Sequence, residues 1–416
     1  MSAVARGEDG PAYILIVVAA YLYCAASMAV VGMIVPLIDV LAAARHLSPA
    51  SIGMSISWFS MPAALGSFLF GVIVDRIGVR YAFLVSCVLI LLGDGLVLGL
   101  PGLMSFRCGL LLSGCGYAFA NTASPVLFMQ YLPQESQRRR ALAFWSTYAP
   151  AGYSMGLLAA IPFLHDGNWR AAWNGHALLI VLTATLILLF IRLLRAVPIV
   201  RGTTGPRPRL GLARVSLLSI ILLGLAVALP NGVAYGTSLI APHYLAMAHH
   251  ISLQSSAATV AAIKIGMMLI GGFVVSLRTS TEGRAVRMFF VMGLLGFAAQ
   301  VGLLLPSDST VVAVGGLLVW SFVYSGLSGT AMAMLPNVAT DEQHRGVVTA
   351  TISQFSSLSS VVVPYVFFSI KSWNGFLLLD GLMLGIAGCA MLVLKKVCGG
   401  SRLGHLVRPA EEAPQG

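Results

Sequence analysis

Gly71-Val72-Ile73-Val74-Asp75-Arg76-Ile77-Gly78-Val79-Arg80 is a short charged segment set between two long apolar runs. The run that follows, Tyr81–Leu100, is nearly free of charge, as are Tyr13–Val35, Ala177–Ile191 and Val215–Leu229. Each is near the roughly 20 residues that a helix needs to cross the hydrocarbon core of a bilayer. Charge is confined to the breaks between such runs, so the loop at 71–80 reads as a turn at a membrane surface.

Composition supports this throughout the chain. Hydrophobic residues make up 58% of the 416 and charged residues 9%, with a mean hydropathy of +0.90. Soluble domains carry about 25% charged residues, so much of this apolar surface must face lipid. The runs show no two-residue alternation, which excludes a barrel and leaves helices as the spanning form.

Twelve spans are expected, at about 13–40, 50–73, 81–100, 104–131, 141–164 and 173–195, then 213–247, 253–277, 285–305, 310–335, 347–370 and 374–396. They form two six-helix bundles, 13–195 and 213–396, joined by a basic linker at 196–212 and flanked by cytoplasmic tails at 1–12 and 397–416. With the N-terminus inside, all but five of the 25 Lys and Arg residues fall on the cytoplasmic side. The exceptions are Arg45, Arg107, Arg170, Lys264 and Lys371. That bias sets the orientation and accounts for the net charge of +11 without nucleic acid. Tyr13 opens a span too long for a signal-peptide core, so no cleavage is expected and both termini are placed in the cytoplasm.

The two halves repeat. Ala44-Arg45-His46-Leu47-Ser48 recurs as Ala248-His249-His250-Ile251-Ser252, Pro36 matches Pro242, and Leu132-Pro133 matches Leu335-Pro336. Matches in one order at nearly one offset imply a duplicated six-span unit, with a binding site between the halves near mid-membrane.

Gly71, Asp75, Arg76, Gly78 and Arg80 match the signature loop G-x-x-x-D-R-x-G-x-[RK]-[RK], so the chain resembles the major facilitator superfamily. The resemblance implies an all-α membrane protein of twelve transmembrane helices in two pseudo-symmetric bundles. It also implies a secondary transporter working by alternating access, with these five residues as a cytoplasmic gate. In that gate Asp75 would sit at a helix N-terminus of the other half, and the arginines would pair with acids or headgroups. In the second half the loop is eroded: Gly272 is kept, but Ser276 replaces the acid before Arg278 and Arg284. Span five reads Ala149-Pro150-Ala151-Gly152-Tyr153-Ser154-Met155-Gly156, similar in Pro150 and Gly152 to the G-P-x-x-G-G of drug/proton antiporters.

Ionisable residues at membrane depth are expensive and usually functional. Lys264, mid-span in a central helix, is the leading one, either binding an anionic group or exchanging a proton; the alternative is a fixed ion pair. Asp94 is a second proton-coupling candidate, or a partner for Arg107 across a short turn. Asp380 reads as structural and Asp39 as interfacial. His176 and His243 are possible proton carriers. By analogy with the family's cavity-lining helices, Tyr117, Asn121, Asn231, Tyr235, Trp320 and Tyr324 join Lys264 as substrate-binding candidates. Tyr21, Tyr23, Ser27, Trp58, Trp145, Tyr148 and Gln354 are further ones. An amide at this depth needs a partner, which favours the two asparagines; each aromatic taken alone is more often helix packing.

No metal site is expected, since no His or Cys pair has ligand spacing, and no cofactor or nucleotide-binding loop is present. The six cysteines read as small buried apolar residues. Gly326-Leu327-Ser328-Gly329 resembles the serine motif of rhomboid proteases but lacks a later membrane histidine, so no enzyme is expected. The resulting expectation is a monomeric carrier in a bacterial inner membrane. It would use protons to export a drug-like or siderophore-like metabolite, with uptake of an organic anion as the alternative. A non-transporting membrane sensor is a third, remote reading.

Overall fold

Backbone polar groups in hydrocarbon must satisfy one another, and a helix does this within a single segment. A computed structural model describes residues 10–132, 134–145, 147–193, 217–276, 282–305, 309–338 and 342–406. Among these residues there are fifteen α-helices and no strand. Nine are long and apolar enough to cross a membrane, ten if the bent pair Pro49–Ser67 and Leu69–Ile77 counts as one span. A described helix or pair of helices overlaps each of the twelve expected spans, of which residues 146, 194–195, 213–216 and 277 lie outside the described residues. The linker at 196–212 and Arg278 lie outside the described residues.

The first half comprises α1 (Gly10–Ile34), α2 (Ile38–Arg45), α3 (Pro49–Ile77), α4 (Val79–Gly99), α5 (Leu103–Tyr131), α6 (Glu135–Trp145), α7 (Tyr148–Ala160) and α8 (Trp169–Leu193). The second comprises α9 (Leu217–Ala248), α10 (Leu253–Ser276), α11 (Glu282–Leu304), α12 (Thr310–Met332), the short α13 (Leu335–Val338), α14 (Glu342–Ser369) and α15 (Trp373–Leu406).

Two spans are broken where the sequence suggested continuous helices. Span one stops at Ile34 and restarts at Ile38. Pro36 between them has no N–H to donate and disfavours helix at Val35. Span five is divided into α6 and α7. Pro150 lies in the first turn of α7, where a missing N–H breaks no helical bond.

The duplication is visible in backbone geometry. Among the described residues the non-glycine positions with positive φ are His46 (54°) and His250 (53°), 204 positions apart. Each precedes a serine that caps the next helix. Ser48 Oγ accepts from Ser51 N at 3.2 Å, and Ser252 Oγ accepts from Ser255 N at 3.1 Å. The same left-handed turn and the same cap therefore open α3 and α10.

Packing distinguishes the two ends of the molecule. One apolar cluster joins both halves, with Ile34, Leu41, Ile56 and Tyr153 from the first and Leu239, Tyr244 and Phe367 from the second. It lies at the end carrying His46 and His250. At the end carrying the 71–80 loop there are two clusters, each confined to one half: Val74, Val79 and Tyr131 in one, Val286, Val338 and Val348 in the other. The halves are sealed together at the first end and part toward the second.

Within the first half α1 and α7 meet at backbone contact. A Cβ on Gly152 would strike the Ala25 carbonyl, one on Gly156 the Ala29 carbonyl, and one on Gly32 the Tyr153 carbonyl. Small residues four apart permit this approach, which gives helices in lipid their packing energy. Gly152 thus has a packing role in this structure.

Candidate functional site

The site grows from the helices that border the seam between halves. A cavity of about 250 Å³ lies there, lined by α1, α3, α5 and α7 of the first half and α9, α10, α12 and α14 of the second. Lys264, Asn121, Asn231, Tyr117, Tyr235 and Tyr324 all line it. A second space of about 400 Å³ adjoins it, sharing Ala149, Pro150, Lys264 and Tyr324 and adding Tyr21, Thr147 and Ser328.

Lys264, on α10, has no acid as partner among the described residues. Its ammonium donates to Ser238 Oγ of α9 and sits 4.7 Å from the centre of the Tyr153 ring of α7. Ser238 in turn donates to Ala234 O at 2.5 Å, and its carbonyl accepts from the Tyr153 hydroxyl. Tyr153 belongs to the other half, so this cluster stitches the halves together beneath the cavity. A cation over an aromatic face is stabilised by about 0.5–2 kcal/mol, depending on desolvation. That holds the charge in place without neutralising it, and among the described residues none lining the cavity is acidic.

Each half contributes a tyrosine–asparagine relay. In the first, Tyr117 OH and Tyr148 OH are 2.7 Å apart, and Tyr148 OH donates to Asn121 Oδ1 at 2.7 Å. In the second, Tyr324 OH donates to Asn231 Oδ1 at 2.7 Å, and Asn231 Nδ2 donates to Ser356 Oγ at 2.9 Å. Asn121 can still offer its N–H groups, and the second lone pair of its amide oxygen, to a ligand. One cation, amide donors and tyrosine hydroxyls suit a ligand rich in acceptors.

Several sequence candidates fall elsewhere. Trp320 is 2% exposed and packs on Gly296; it lies outside the lining of the 250 Å³ cavity but edges a small space beside it with Lys264, Ser238 and Tyr324. Tyr23 is fully buried and bonded to Ser86 Oγ at 2.8 Å. Trp58 Nε1 donates to Tyr365 OH at 3.1 Å, joining α3 to α14. Trp145 stacks toward Tyr148, 4.9 Å between centroids. Tyr21 lines the adjoining space, while Ser27 and Gln354 do not line the central cavity.

Asp94 does not reach Arg107. Its Oδ2 lies 2.8 Å from Nδ1 of His176, and both side chains are 2% exposed. The other ring nitrogen meets Ala26 O of α1 at 3.1 Å. Arg107 instead bonds Ser55 Oγ at 3.3 Å and lies over Trp58. Helical phase explains the change: Asp94 faces α8 across the bundle rather than the turn that follows its own helix. In the second half Asp380 is fully buried, and neither of its oxygens has a hydrogen-bond partner.

The sequence did not single out Met28, Phe59, Ser60, Tyr153, Ser356, Ser357 or Ser360 as lining residues. The three serines on α14 have a detectable pattern, a polar stripe of i, i+1, i+4 spacing in an apolar helix.

The segment 71–80 is helix rather than loop apart from Gly78, since α3 runs to Ile77 and α4 starts at Val79; Asp75, Arg76 and Arg80 are exposed there at the open end. Gly78 has φ of 82°, a conformation that glycine adopts without strain. Gly71 has only Thr122 near the position of an added Cβ, at 4.0 Å, so it is under no tight constraint in this state.

The family model for the Major Facilitator Superfamily matches residues 19–364. The chain belongs to the Major Facilitator Superfamily. It is an integral membrane protein with the superfamily's transporter fold. A point mutant of the peptide transporter POT superimposes with a TM-score of 0.71 at 13% identity, covering 94% of this chain and 95% of that one. A D-xylose-proton symporter gives 0.68 at 15%, covering 93% and 96%. A bacterial homolog of the human lysosomal transporter Spinster, inward-facing and unoccupied, gives 0.64 at 15%, covering 95% and 96%. A search of curated proteins found no match. At such identities, likeness to superfamily members of different cargo establishes fold alone.

Proposed function

We propose that this superfamily member is a secondary active transporter of a small organic molecule carrying one negative group, bound in the cavity between the halves by Lys264. The observation that carries this reading is the charge arrangement. Among the described residues the cavity is lined by one ammonium, held by a hydroxyl and a ring, and by no carboxylate that would neutralise it. A buried cation without a counter-ion is costly, and an anionic ligand supplies the missing charge. Asn121, Asn231, Tyr117, Tyr235 and Tyr324 would orient the remainder of the molecule.

The 71–80 loop and both termini are placed in the cytoplasm, so the sealed end faces outward and the described state is open inward. Gly71, Asp75, Arg76, Gly78 and Arg80 form the gate that closes when the halves rock to the other state. Protons are the proposed coupling ion, with Lys264 and the Asp94–His176 pair as exchange sites. The pair touches the α1 backbone at Ala26, two residues before the cavity-lining Met28. Export is the proposed direction, supported by the aromatic lining, which suits a drug-like or siderophore-like metabolite. Uptake of the same anion is the second reading, favoured by the single lysine.

Flux of labelled organic anions into and out of proteoliposomes, with and without an imposed pH gradient, tests this. Anion movement that follows the gradient and is lost in Lys264→Ala is expected. A folded protein that moves no candidate anion under either gradient would sink the transporter reading. Unchanged anion flux in Lys264→Ala would remove the lysine from binding.

A further inference from the structure

Open volume continues past Lys264. The space of about 400 Å³ beside the central cavity is lined by the same lysine and by residues that the cavity lacks. These are Tyr21 and Thr147 from the first half and Ile265, Ser325, Ser328 and Gly329 from the second. Helix direction gives its depth. Tyr21 and Thr147 precede Met28 and Tyr153 on a path that α1 and α7 take from the open end toward the sealed one. Ser328 and Gly329 follow Tyr324 on α12, which runs the other way. The second space therefore lies on the open-end side of Lys264.

The two spaces differ in chemistry. The central cavity holds both amides, Asn121 and Asn231, and the serines of α14. Among the described residues the second space has no amide and no charged group but Lys264. Small side chains at Ala149, Ala151 and Gly329 give it room, and a Cβ on Gly329 would meet nothing within 4 Å. Ser325 lines it, and its hydroxyl is buried with no hydrogen-bond partner among the described residues. Lys264 stands at the boundary with three N–H donors, of which Ser238 takes one.

We propose that the second space is a binding subsite, and that the cargo is an organic anion whose charge lies between two arms. An acceptor-rich head occupies the central cavity among the amides. A largely apolar body, with one polar atom in reach of Ser325, occupies the space toward the open end. The charge belongs at the junction because Lys264 is the one cation lining either space among the described residues. A molecule with its charge at one tip would fill one space and leave the other to water. Apolar area placed in the second space leaves water and so adds to affinity. The inference rests on the anion-binding reading of Lys264 and narrows the class of cargo.

Equilibrium binding to the protein in lipid nanodiscs tests it, with binding to empty nanodiscs subtracted. The probes are N-acetyl-glutamine and N-benzoyl-glutamine. Each has one carboxylate set between a hydrogen-bonding side chain and an acyl group, and they differ in the acyl group alone. The benzoyl probe should bind at least about tenfold tighter, the usual effect of burying a ring. In Gly329→Phe, which fills the second space, that preference should fall to about twofold or less. Ser360→Leu, which fills the central cavity, should weaken both probes alike. Gly329→Leu serves if the larger side chain impairs folding. A benzoyl preference that survives at position 329, or none in the parent, overturns the subsite. A parent that binds neither probe overturns the anion reading and the subsite with it, so the two failures are told apart.

Discussion

Tyr153 of the first half and Lys264 of the second meet face to cation, the ammonium 4.7 Å from the ring centre. The contact places the cavity's positive charge on the seam along which the halves must move. It also separates two roles of one tyrosine, since the ring holds Lys264 while the hydroxyl ties to Ser238.

Replacing Tyr153 by Leu should remove the ring and weaken binding of an anionic cargo by roughly fivefold, about 1 kcal/mol of cation–π stabilisation. Tyr153→Phe keeps the ring and should lose less. Apparent KM for anion flux in both variants checks the order. If Phe harms binding more than Leu, the ring has no part in placing the charge.

Lys264→Gln retains a hydrogen-bond donor to Ser238 but not the charge. Anion affinity should fall at least tenfold, while an uncharged analogue of the same cargo should bind comparably in both proteins. Equal losses for the two ligands, measured by scintillation proximity or calorimetry, would assign Lys264 to helix packing.

Breaking the buried Asp94–His176 pair should destabilise the fold. His176→Leu, which strands the Asp94 carboxylate, is expected to lose about 3–5 kcal/mol, the usual penalty for one uncompensated buried charge, whereas Asp94→Asn leaves a ring that can stay neutral and should lose less. The double replacement Asp94→Leu with His176→Leu should recover much of it. Thermal unfolding in detergent, compared across the cycle, reads the coupling.

Gly156→Val should disrupt the α1–α7 seam, because even one Cβ there collides with the Ala29 carbonyl. Gly175→Val on α8 should be tolerated, since nothing lies within 4 Å of an added Cβ. Yield of monodisperse protein and melting temperature would separate the two; parity would contradict the packing described.

The architecture was legible because lipid leaves the chain few options. A run of about 20 apolar residues must be helix, and charge must collect at its ends. Lys264 was legible for the same reason, as an ammonium at mid-span demands an explanation. The partner of Asp94 was not. Sequence proximity favoured Arg107, whereas the helical phase that turns Asp94 toward His176 depends on how α4 packs on α8. Trp320 was legible in part, since its indole packs in the helix interface at Gly296 and also edges a small space beside Lys264. Ser356, Ser357 and Ser360 went unremarked because serine can satisfy itself within its own helix, as Ser359 and Ser360 do on Ser356 O. The helix ends at Ile34 and Trp145 fall within runs whose hydropathy is continuous, so composition alone could not show them.

His46 and His250 stand 204 positions apart with φ of 54° and 53°. They are one position of the repeat, met twice. The residues that cross between the halves nearby, Asp39 and His243, differ in kind, an acid beside an imidazole. Two identical subunits paired about a twofold axis must present the same residues to each other. A single chain carrying both copies is free of that constraint, so its corners can stay alike while its contacts become complementary.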